Sequence, residues 1–112
     1  MNIQIYSKKK CFDTQKAERY FKERKIKYQL IDLLKYGLSK GEFDSVRTAV
    51  GLDNLIDSGC RAYADLNLDK IRTKGVREEI AQKNPQLYRT PIVRNGKQAT
   101  VGYQPDIWKS WE

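Results

Sequence analysis

Cys11 lies where a predicted strand, loop and helix meet, a position in which a thiol can become chemically reactive. Residues 2–6 alternate between apolar and polar side chains, as in a strand, and the spacing of Ala17, Tyr20 and Phe21 after Cys11 is helical. The pattern therefore predicts a sulfur atom at a helix N-terminus. Unpaired backbone N–H groups and the positive end of the helix dipole favour a thiolate there, and the thiolate is the nucleophilic form of cysteine.

The residues around Cys11 make its turn polar and positively charged. The lysines close to it in sequence are Lys8, Lys9, Lys10 and Lys16. Cationic neighbours stabilise a thiolate, and a solvated turn suits a partly exposed thiol. The alternative is that Cys11 is a small buried hydrophobic residue, as free cysteines often are. The polar turn favours the reactive interpretation.

Length and composition limit the class of protein. We expect a chain of 112 residues to form one domain, residues 1–112, with a single modest core. The sequence has neither an apolar run of membrane-spanning length nor a signal peptide, which predicts a cytoplasmic protein without a membrane partner. Two cysteines are too few for a disulfide scaffold, and without any histidine they leave no plausible zinc ligand set. We expect no bound metal or cofactor.

A net charge of +8 and an isoelectric point near 9.5 raise the question of nucleic-acid binding. Basic residues are mixed with acids along the chain, as in residues 16–19 and 77–79, which is typical of solvated helix faces. The densest basic cluster, residues 8–10, surrounds the thiol. This placement fits an anionic small substrate or a cysteinyl peptide with a carboxylate at least as well as it fits DNA, and direct nucleic-acid binding is the weakest of the function classes.

The first half of the chain predicts a βαβ unit followed by helices. Residues 27–33 are rich in aromatic and branched side chains and predict a second strand, and a βαβ crossover makes the two strands parallel. Residues 38–88 are expected to form a helical insertion. Within it, Ser39 and Glu42 carry the signature of a capping box, and a further helix is expected over residues 73–83.

The end of the chain predicts a hairpin and a last helix. Residues 90–94 and 98–103 flank Asn95-Gly96, a strong signal for a two-residue turn. Pro105 suits the first position of the final helix. The order βαβ, helical insertion, ββα predicts an α/β protein with a thioredoxin-like fold and a four-strand mixed sheet.

Short segments in this order resemble the arsenate reductase and Spx family, a thioredoxin-fold group related to glutaredoxins. The matching segments are Ile5-Tyr6, Lys10-Cys11-Phe12-Asp13-Thr14-Gln15-Lys16-Ala17, Gly37-Leu38-Ser39, Asn84-Pro85-Gln86-Leu87, Pro91-Ile92-Val93 and Val101-Gly102-Tyr103. Each segment is short, but together they cover nearly the whole chain. The resemblance implies that Cys11 is the active-site cysteine, with glutathione or another low-molecular-weight thiol, such as a bacillithiol-like thiol, as co-substrate.

Two departures from the family pattern argue against arsenate as the substrate. In the resemblance, members that reduce arsenate carry arginines where this chain has Gly59 and Thr90, with Arg61 and Arg89 one or two residues away. Guanidinium groups must point at an oxyanion to bind it, so such shifts can redirect them. The pair Thr90-Pro91 instead resembles glutaredoxins and thioredoxins, in which the residue before a cis proline pairs with a cysteinyl peptide or glutathione.

Spx-type transcription regulators, which bind RNA polymerase, resemble the chain in overall layout. Gly51 corresponds to a glycine at their polymerase contact. Their redox switch is a Cys-x-x-Cys pair, whereas here Thr14 stands three residues after Cys11. The resemblance thus supports a regulator as an alternative function, with Cys11 as a sensor or a relic.

Cys60 has two possible roles. The family layout implies that its segment lies beside the active-site thiol, so Cys60 could act as a resolving cysteine against an oxidised Cys11. Alternatively, Cys60 is a free thiol in a loop.

The resemblance and the residues together favour a thiol-dependent oxidoreductase. In this hypothesis Cys11 is the nucleophile, Lys10 and Lys16 support its thiolate, and Thr14 offers a local hydrogen bond. Arg61 and Arg89 are expected to hold an anion or a carboxylate of the substrate.

Overall fold

A four-stranded mixed sheet organises the part of the chain that the structure describes, residues 2–8 and 11–111 of a computed structural model. The elements in chain order are β1 (Ile3–Ser7), α1 (Phe12–Glu23), β2 (Tyr28–Asp32), α2 (Leu33–Tyr36), α3 (Lys40–Val50), α4 (Leu52–Leu55), α5 (Arg61–Asp65), a 3₁₀ turn (Leu68–Lys70), α6 (Lys74–Lys83), a second 3₁₀ turn (Pro85–Leu87), β3 (Ile92–Asn95), β4 (Gln98–Val101) and α7 (Pro105–Lys109). The predicted order of strands and helices is confirmed. Within the described residues, every helix is too short or too polar to cross a membrane.

The strand order in the sheet is β2-β1-β3-β4. The first two strands are parallel, as the crossover through α1 requires, and the other two pairs are antiparallel. In the central pair, Tyr6 lies opposite Ile92. This register brings the segment after β1 next to the segment before β3.

The hairpin turn lies one residue later than the sequence predicted. Asn95 pairs with Gln98, so the two turn residues are Gly96 and Lys97. Gly96 has a φ angle of 61°, and a glycine with positive φ at the first turn position is typical of a type II′ hairpin. Gly96 therefore supplies the positive φ angle that the turn needs at the first turn position. Asn95, which was predicted to occupy that position, is the last residue of β3.

The two faces of the sheet pack against different sets of helices. Because side chains alternate along a strand, Ile3 and Ile5 of β1 lie on one face and Tyr6 lies on the other. The first face packs on α1 and α7 through these buried residues: Ile3, Ile5, Ala17, Tyr20, Phe21, Val93 and Trp108. The second face packs on the helical segment between β2 and β3 through a larger set of buried residues: Tyr6, Leu33, Leu38, Phe43, Val46, Leu52, Leu55, Ile56, Leu68, Ala81, Leu87, Tyr88 and Ile92.

Glu42 fixes α3 both at its own start and against the sheet. One carboxylate oxygen accepts from the Ser39 backbone N–H, and the Ser39 hydroxyl accepts from the Glu42 N–H, so the predicted capping box is present. The other oxygen accepts from the Tyr6 hydroxyl and lies 3.6 Å from an Arg94 guanidinium nitrogen. Burial alone would raise the pKa of Glu42, but these hydrogen bonds and the Arg94 charge lower it.

Gly51 ends α3 and adopts a conformation that needs glycine. Its φ angle is 86°, in a region that other residues rarely adopt. The backbone between α3 and α4 therefore explains a glycine at this position without a partner protein.

Trp108 ties the last helix to the sheet. The indole is fully buried, and its Nε1–H donates to the hydroxyl of Thr100, also buried, at 2.8 Å. The ring also packs edge-on against Tyr20. The position of α7 beside β4 thus depends on an aromatic cluster and one buried polar contact.

We predict that Thr100→Val destabilises the fold. Valine keeps the shape of threonine but leaves the buried indole N–H without its acceptor, which costs about 1–3 kcal/mol of unfolding free energy. Urea denaturation measures the loss, with Thr48→Val on the exposed side of α3 as the control. Equal stability of Thr100→Val and the wild type would show that water or another group replaces the acceptor.

Candidate thiol active site

The Cys11 thiol lies at the start of α1 and contacts Thr90 from the far end of the chain. Cys11 is the N-cap residue of α1 and is partly exposed. The Thr90 hydroxyl donates to Cys11 Sγ at 3.3 Å, and the thiol donates to the Thr90 carbonyl oxygen at 3.6 Å. Thr90 is joined to the buried Pro91 by a cis peptide bond, as in the glutaredoxins and thioredoxins that this residue pair resembles. The structure thus brings three of the predicted site residues together.

Hydrogen bonds favour the thiolate form of Cys11. Burial acts to raise the pKa of this thiol, but the hydroxyls of Thr14 and Thr90 and the backbone N–H groups of Thr14 and Asp13 outweigh it and lower the pKa. The lowered pKa agrees with the expectation from the helix start. The backbone donors at the helix start and the Thr14 hydroxyl agree with the sequence prediction, and the Thr90 hydroxyl is a donor from the far end of the chain that the prediction did not include.

Ser7 supports the Thr14 hydroxyl and was not identified from the sequence. The two hydroxyl oxygens are 2.7 Å apart, and the Ser7 hydroxyl also donates to the Lys8 carbonyl oxygen at 2.8 Å. When Thr14 donates to a Cys11 thiolate, Ser7 can turn its proton towards Thr14. A hydroxyl at the last position of β1, before the loop, is the sequence signal for this role.

The thiol opens into a cleft of about 980 Å³. Apolar side chains of α3, β4 and α7 line much of it: Ala49, Val50, Ala99, Val101 and Ile107. Four charged residues also line it: Lys8, Asp13, Asp57 and Arg89. A cleft that combines apolar and polar lining can bind part of a molecule by shape and orient it by polar contacts.

Lys8 is one of the two cations that line this cleft among the described residues. Its Nζ donates to the carbonyl oxygens of Gln86 at 2.7 Å and Tyr88 at 2.6 Å. Burial lowers the pKa of Lys8, while Cys60, Asp57 and Cys11 act in the opposite direction. The sequence pattern identifies Lys8 only as one of the loop lysines near Cys11. It lies two residues after Tyr6, and the strand alternation that points Tyr6 to the helical segment predicts the same side for Lys8.

Two predicted arginines occupy different places. Arg89 lines the cleft, and its Nε donates to the Ile56 carbonyl oxygen at 3.2 Å. The Arg61 side chain is 93% exposed and pairs with Asp65 at 3.5 Å, so it does not line the cleft. Arg61 therefore lies away from the thiol cleft, paired along its own helix, and its expected contact with an anion stays a prediction.

The predicted lysines contribute differently from Lys8. The Lys16 side chain is 60% exposed, pairs with Asp13 at 3.9 Å, and lies over the Tyr103 ring. It does not line the cleft. Lys10 lies outside the described residues.

Cys60 is a free, partly exposed thiol at the start of α5. It contacts the Gln86 carbonyl oxygen at 3.9 Å, so it shares this acceptor with Lys8. Cys60 does not line the cleft, although Asp57, three residues earlier, does. The resolving role of Cys60 remains a prediction.

The described residues hold no group of three or more histidine, cysteine, aspartate or glutamate side chains that could bind a metal ion. The chemistry that these residues can perform is that of a thiolate beside hydroxyl, amide and ammonium donors. Such a group is a nucleophile towards disulfides and other electrophilic sulfur or oxyanion centres.

We predict that Thr90→Val moves the pH dependence of Cys11 alkylation to higher pH. The wild-type pKa is lowered, so loss of the hydroxyl donor returns the thiolate form to a higher pH range. A hydrogen bond of ordinary strength corresponds to about threefold to tenfold slower iodoacetamide alkylation near neutral pH. Thr90→Ser keeps the hydroxyl and is the control. An unchanged profile in Thr90→Val would show that the backbone donors alone set the pKa.

Comparison of the sequence with known proteins identifies a family and several relatives. A family model described as the ArsC family matches residues 6–111. The global transcriptional regulator Spx 2 of Oceanobacillus iheyensis is 30% identical over 110 residues, which cover 95% of this chain and 80% of that protein. The Spx regulator of Listeria monocytogenes is 29% identical over 108 residues, covering 93% and 82%.

Solved structures show the same fold at lower identity. An arsenate reductase from Vibrio cholerae superposes with a TM-score of 0.84 at 22% identity, covering 98% of this chain and 97% of that one. A protein from Bacteroides fragilis described as related to the ArsC family gives 0.86 at 20% identity, covering 100% and 98%. The glutaredoxin-like NrdH-redoxin of Escherichia coli gives 0.52 at 15% identity, covering 100% and 96%. With its family model, its relatives and its thioredoxin-like fold, this chain belongs to the ArsC family.

Proposed function

We propose that this protein is a thiol-dependent oxidoreductase that uses Cys11 as its nucleophile and a low-molecular-weight thiol as reductant. The observation that carries the proposal is the Cys11 sulfur at the wall of the cleft, held by Thr90 next to Pro91 and with a lowered pKa. A partly exposed thiol of low pKa is the usual reagent for thiol–disulfide exchange. A cytosolic setting, where small thiols are abundant, suits such a reaction.

The reaction is an exchange of disulfide partners in two steps. The Cys11 thiolate attacks one sulfur of a mixed disulfide, the S–S bond breaks, and the second sulfur leaves as a thiolate with the electron pair and takes a proton from water. Cys11 is then disulfide-bonded to the first half of the substrate. Glutathione or a similar thiol, as its thiolate, attacks the substrate-derived sulfur of this bond and restores the Cys11 thiolate. Each turnover therefore consumes one reductant thiol, releases one substrate thiol and forms one disulfide that contains the reductant.

The substrate class that suits the cleft is a cysteinyl peptide or glutathione in mixed disulfide form. Such a molecule can lie extended along Thr90 and offer a carboxylate to Arg89 on the cleft wall. The apolar walls contributed by Val50 and Val101 favour a peptide with small hydrophobic side chains.

We predict that Cys11→Ser abolishes reduction of a glutathionylated peptide with glutathione as reductant, while the fold persists. A serine hydroxyl does not attack a disulfide at neutral pH, and Cys11 is only partly buried. Release of the peptide thiol is measured by mass spectrometry, and circular dichroism checks the fold.

The matched control is Cys60→Ser, which removes the other thiol. Full turnover in Cys60→Ser indicates a one-cysteine scheme with an external thiol, whereas trapping of a glutathionyl adduct on Cys11 indicates a resolving role for Cys60. Full turnover in Cys11→Ser would contradict the proposed function.

A second candidate is a transcription regulator that binds RNA polymerase. The observation in its favour is the similarity to Spx regulators over more than nine-tenths of this chain. Gly51 does not strengthen it, because the positive φ angle already requires glycine there. Biolayer interferometry with purified bacterial RNA polymerase tests it: saturable binding together with no Cys11-dependent turnover would favour the regulator.

We predict that arsenate is reduced at least about a hundredfold more slowly than a mixed disulfide, because removal of a charged oxyanion contact commonly costs that much. Arg61 points into solvent, and Arg89 is the one arginine that lines the cleft among the described residues. The resemblance places arginines at Gly59 and Thr90 in members that reduce arsenate. Arsenite formation with glutathione is the measurement, and efficient turnover would show that Lys8 and Arg89 suffice.

A further inference from the structure

We propose that Lys8 is a catalytic residue of this site, whose ammonium group neutralises the thiolate that leaves when Cys11 attacks a disulfide. The proposal rests on the proposed function and assigns the group that acts on the leaving sulfur. Lys8 lines the cleft, and its hydrogen bonds to described residues leave one N–H donor free.

The hydrogen bonds of Lys8 fix its ammonium group in one place. An ammonium group carries three N–H donors. Two of them are used by the carbonyl oxygens of Gln86 and Tyr88, at 2.7 and 2.6 Å. Lys8 also lines the cleft that Cys11 opens into. The third donor is therefore available to a molecule bound in the cleft, and little side-chain freedom is lost when it is used.

Among the described residues, the charges that act on Lys8 belong to acidic or thiol groups. They are Cys60, Asp57 and Cys11, and all three act to keep Lys8 protonated. With Cys11 attacking one sulfur of the substrate, the negative charge moves to the second sulfur of the same S–S bond. A fixed cation near this point stabilises the developing charge more strongly than solvent does, because it needs no reorientation.

The other cations near the thiol in the described part of the chain are less suited to this role. The Lys16 ammonium pairs with Asp13 and is largely exposed. Arg89 is exposed at its side chain and is partly used by the Ile56 carbonyl oxygen. Lys8 is the more buried cation, and electrostatic interactions strengthen as water is excluded.

In the proposed step, atoms and charge balance without a further reagent. The Cys11 thiolate forms a bond to the first sulfur, the S–S bond breaks, and its electron pair stays on the second sulfur. Lys8 donates a hydrogen bond to this thiolate. The thiolate then diffuses away and takes a proton from water. Lys8 is ammonium before and after the step.

The test is the dependence of the rate on the leaving group. The probes are mixed disulfides of one cysteinyl peptide with uncharged leaving thiols that range from aromatic to alkyl. The rate of Cys11–peptide adduct formation is followed by mass spectrometry and divided by the thiolate fraction from an alkylation titration. In Lys8→Met, the corrected rate should fall about tenfold for alkyl leaving thiols and about twofold or less for aromatic ones, whose thiolates need less stabilisation. Lys8→Arg should restore most of the alkyl rate.

Lys97→Met is the matched control for the loss of one positive charge. Lys97 is exposed in the hairpin turn, at the end of the sheet opposite to Cys11. The Lys97→Met variant should show the same dependence of the rate on the leaving thiol as the wild type. The same decrease for every probe in Lys8→Met would show that Lys8 only positions residues 86–90 and would overturn the proposal, as would an unchanged rate.

A second variant keeps the test decisive if Lys8→Met does not fold. Asp57→Asn keeps the side-chain oxygen that accepts from the Gly59 N–H and removes a negative charge that faces Lys8. It should raise the corrected rate for alkyl leaving thiols relative to aromatic ones, and the opposite change would overturn the proposal. Absence of any Cys11 adduct in the wild type would instead overturn the proposed function, and this proposal with it.

Discussion

The contact between the Cys11 thiol and Thr90 is the interaction on which the site depends. It joins two loops that are 79 residues apart in sequence. The pairing of Tyr6 with Ile92 in the central strands places these loops side by side. A slip of one residue in this register would turn the strand side chains to the opposite face and separate the thiol from its hydroxyl partner. The chemistry of Cys11 is therefore set by sheet register as much as by the helix that follows it.

The two faces of the sheet contribute different parts of the site. The face that packs on α1 and α7 holds the start of α1, and with it Cys11, through a buried aromatic cluster around Trp108. The opposite face carries the helical segment, which supplies Val50 and Asn54 to one side of the cleft. Glu42 links that segment to both central strands through Tyr6 and Arg94. The cleft lies where these layers meet above the ends of the strands.

Positive and negative residues balance at the cleft, whereas the chain as a whole is strongly basic. Although the net charge is +8, the described residues that line the cleft include two cations and two carboxylates. The lowered pKa of Cys11 arises from hydroxyl and backbone donors. Neutral donors at fixed positions favour a thiolate without adding net positive charge to the cleft.

The sequence by itself determined the order of the main strands and helices and the place of Cys11 at a helix start, but it did not predict the short helices α2, α4 and α5. Alternation in β1, the helical spacing after Cys11, the capping box of Ser39 and the proline at the start of α7 are local patterns, and local patterns follow from backbone geometry. Only the tertiary structure decided which side chains meet the sulfur. Arg61 turned into solvent and Lys8 turned into the cleft because helix phase and strand pairing, not distance along the chain, determine where a long side chain ends.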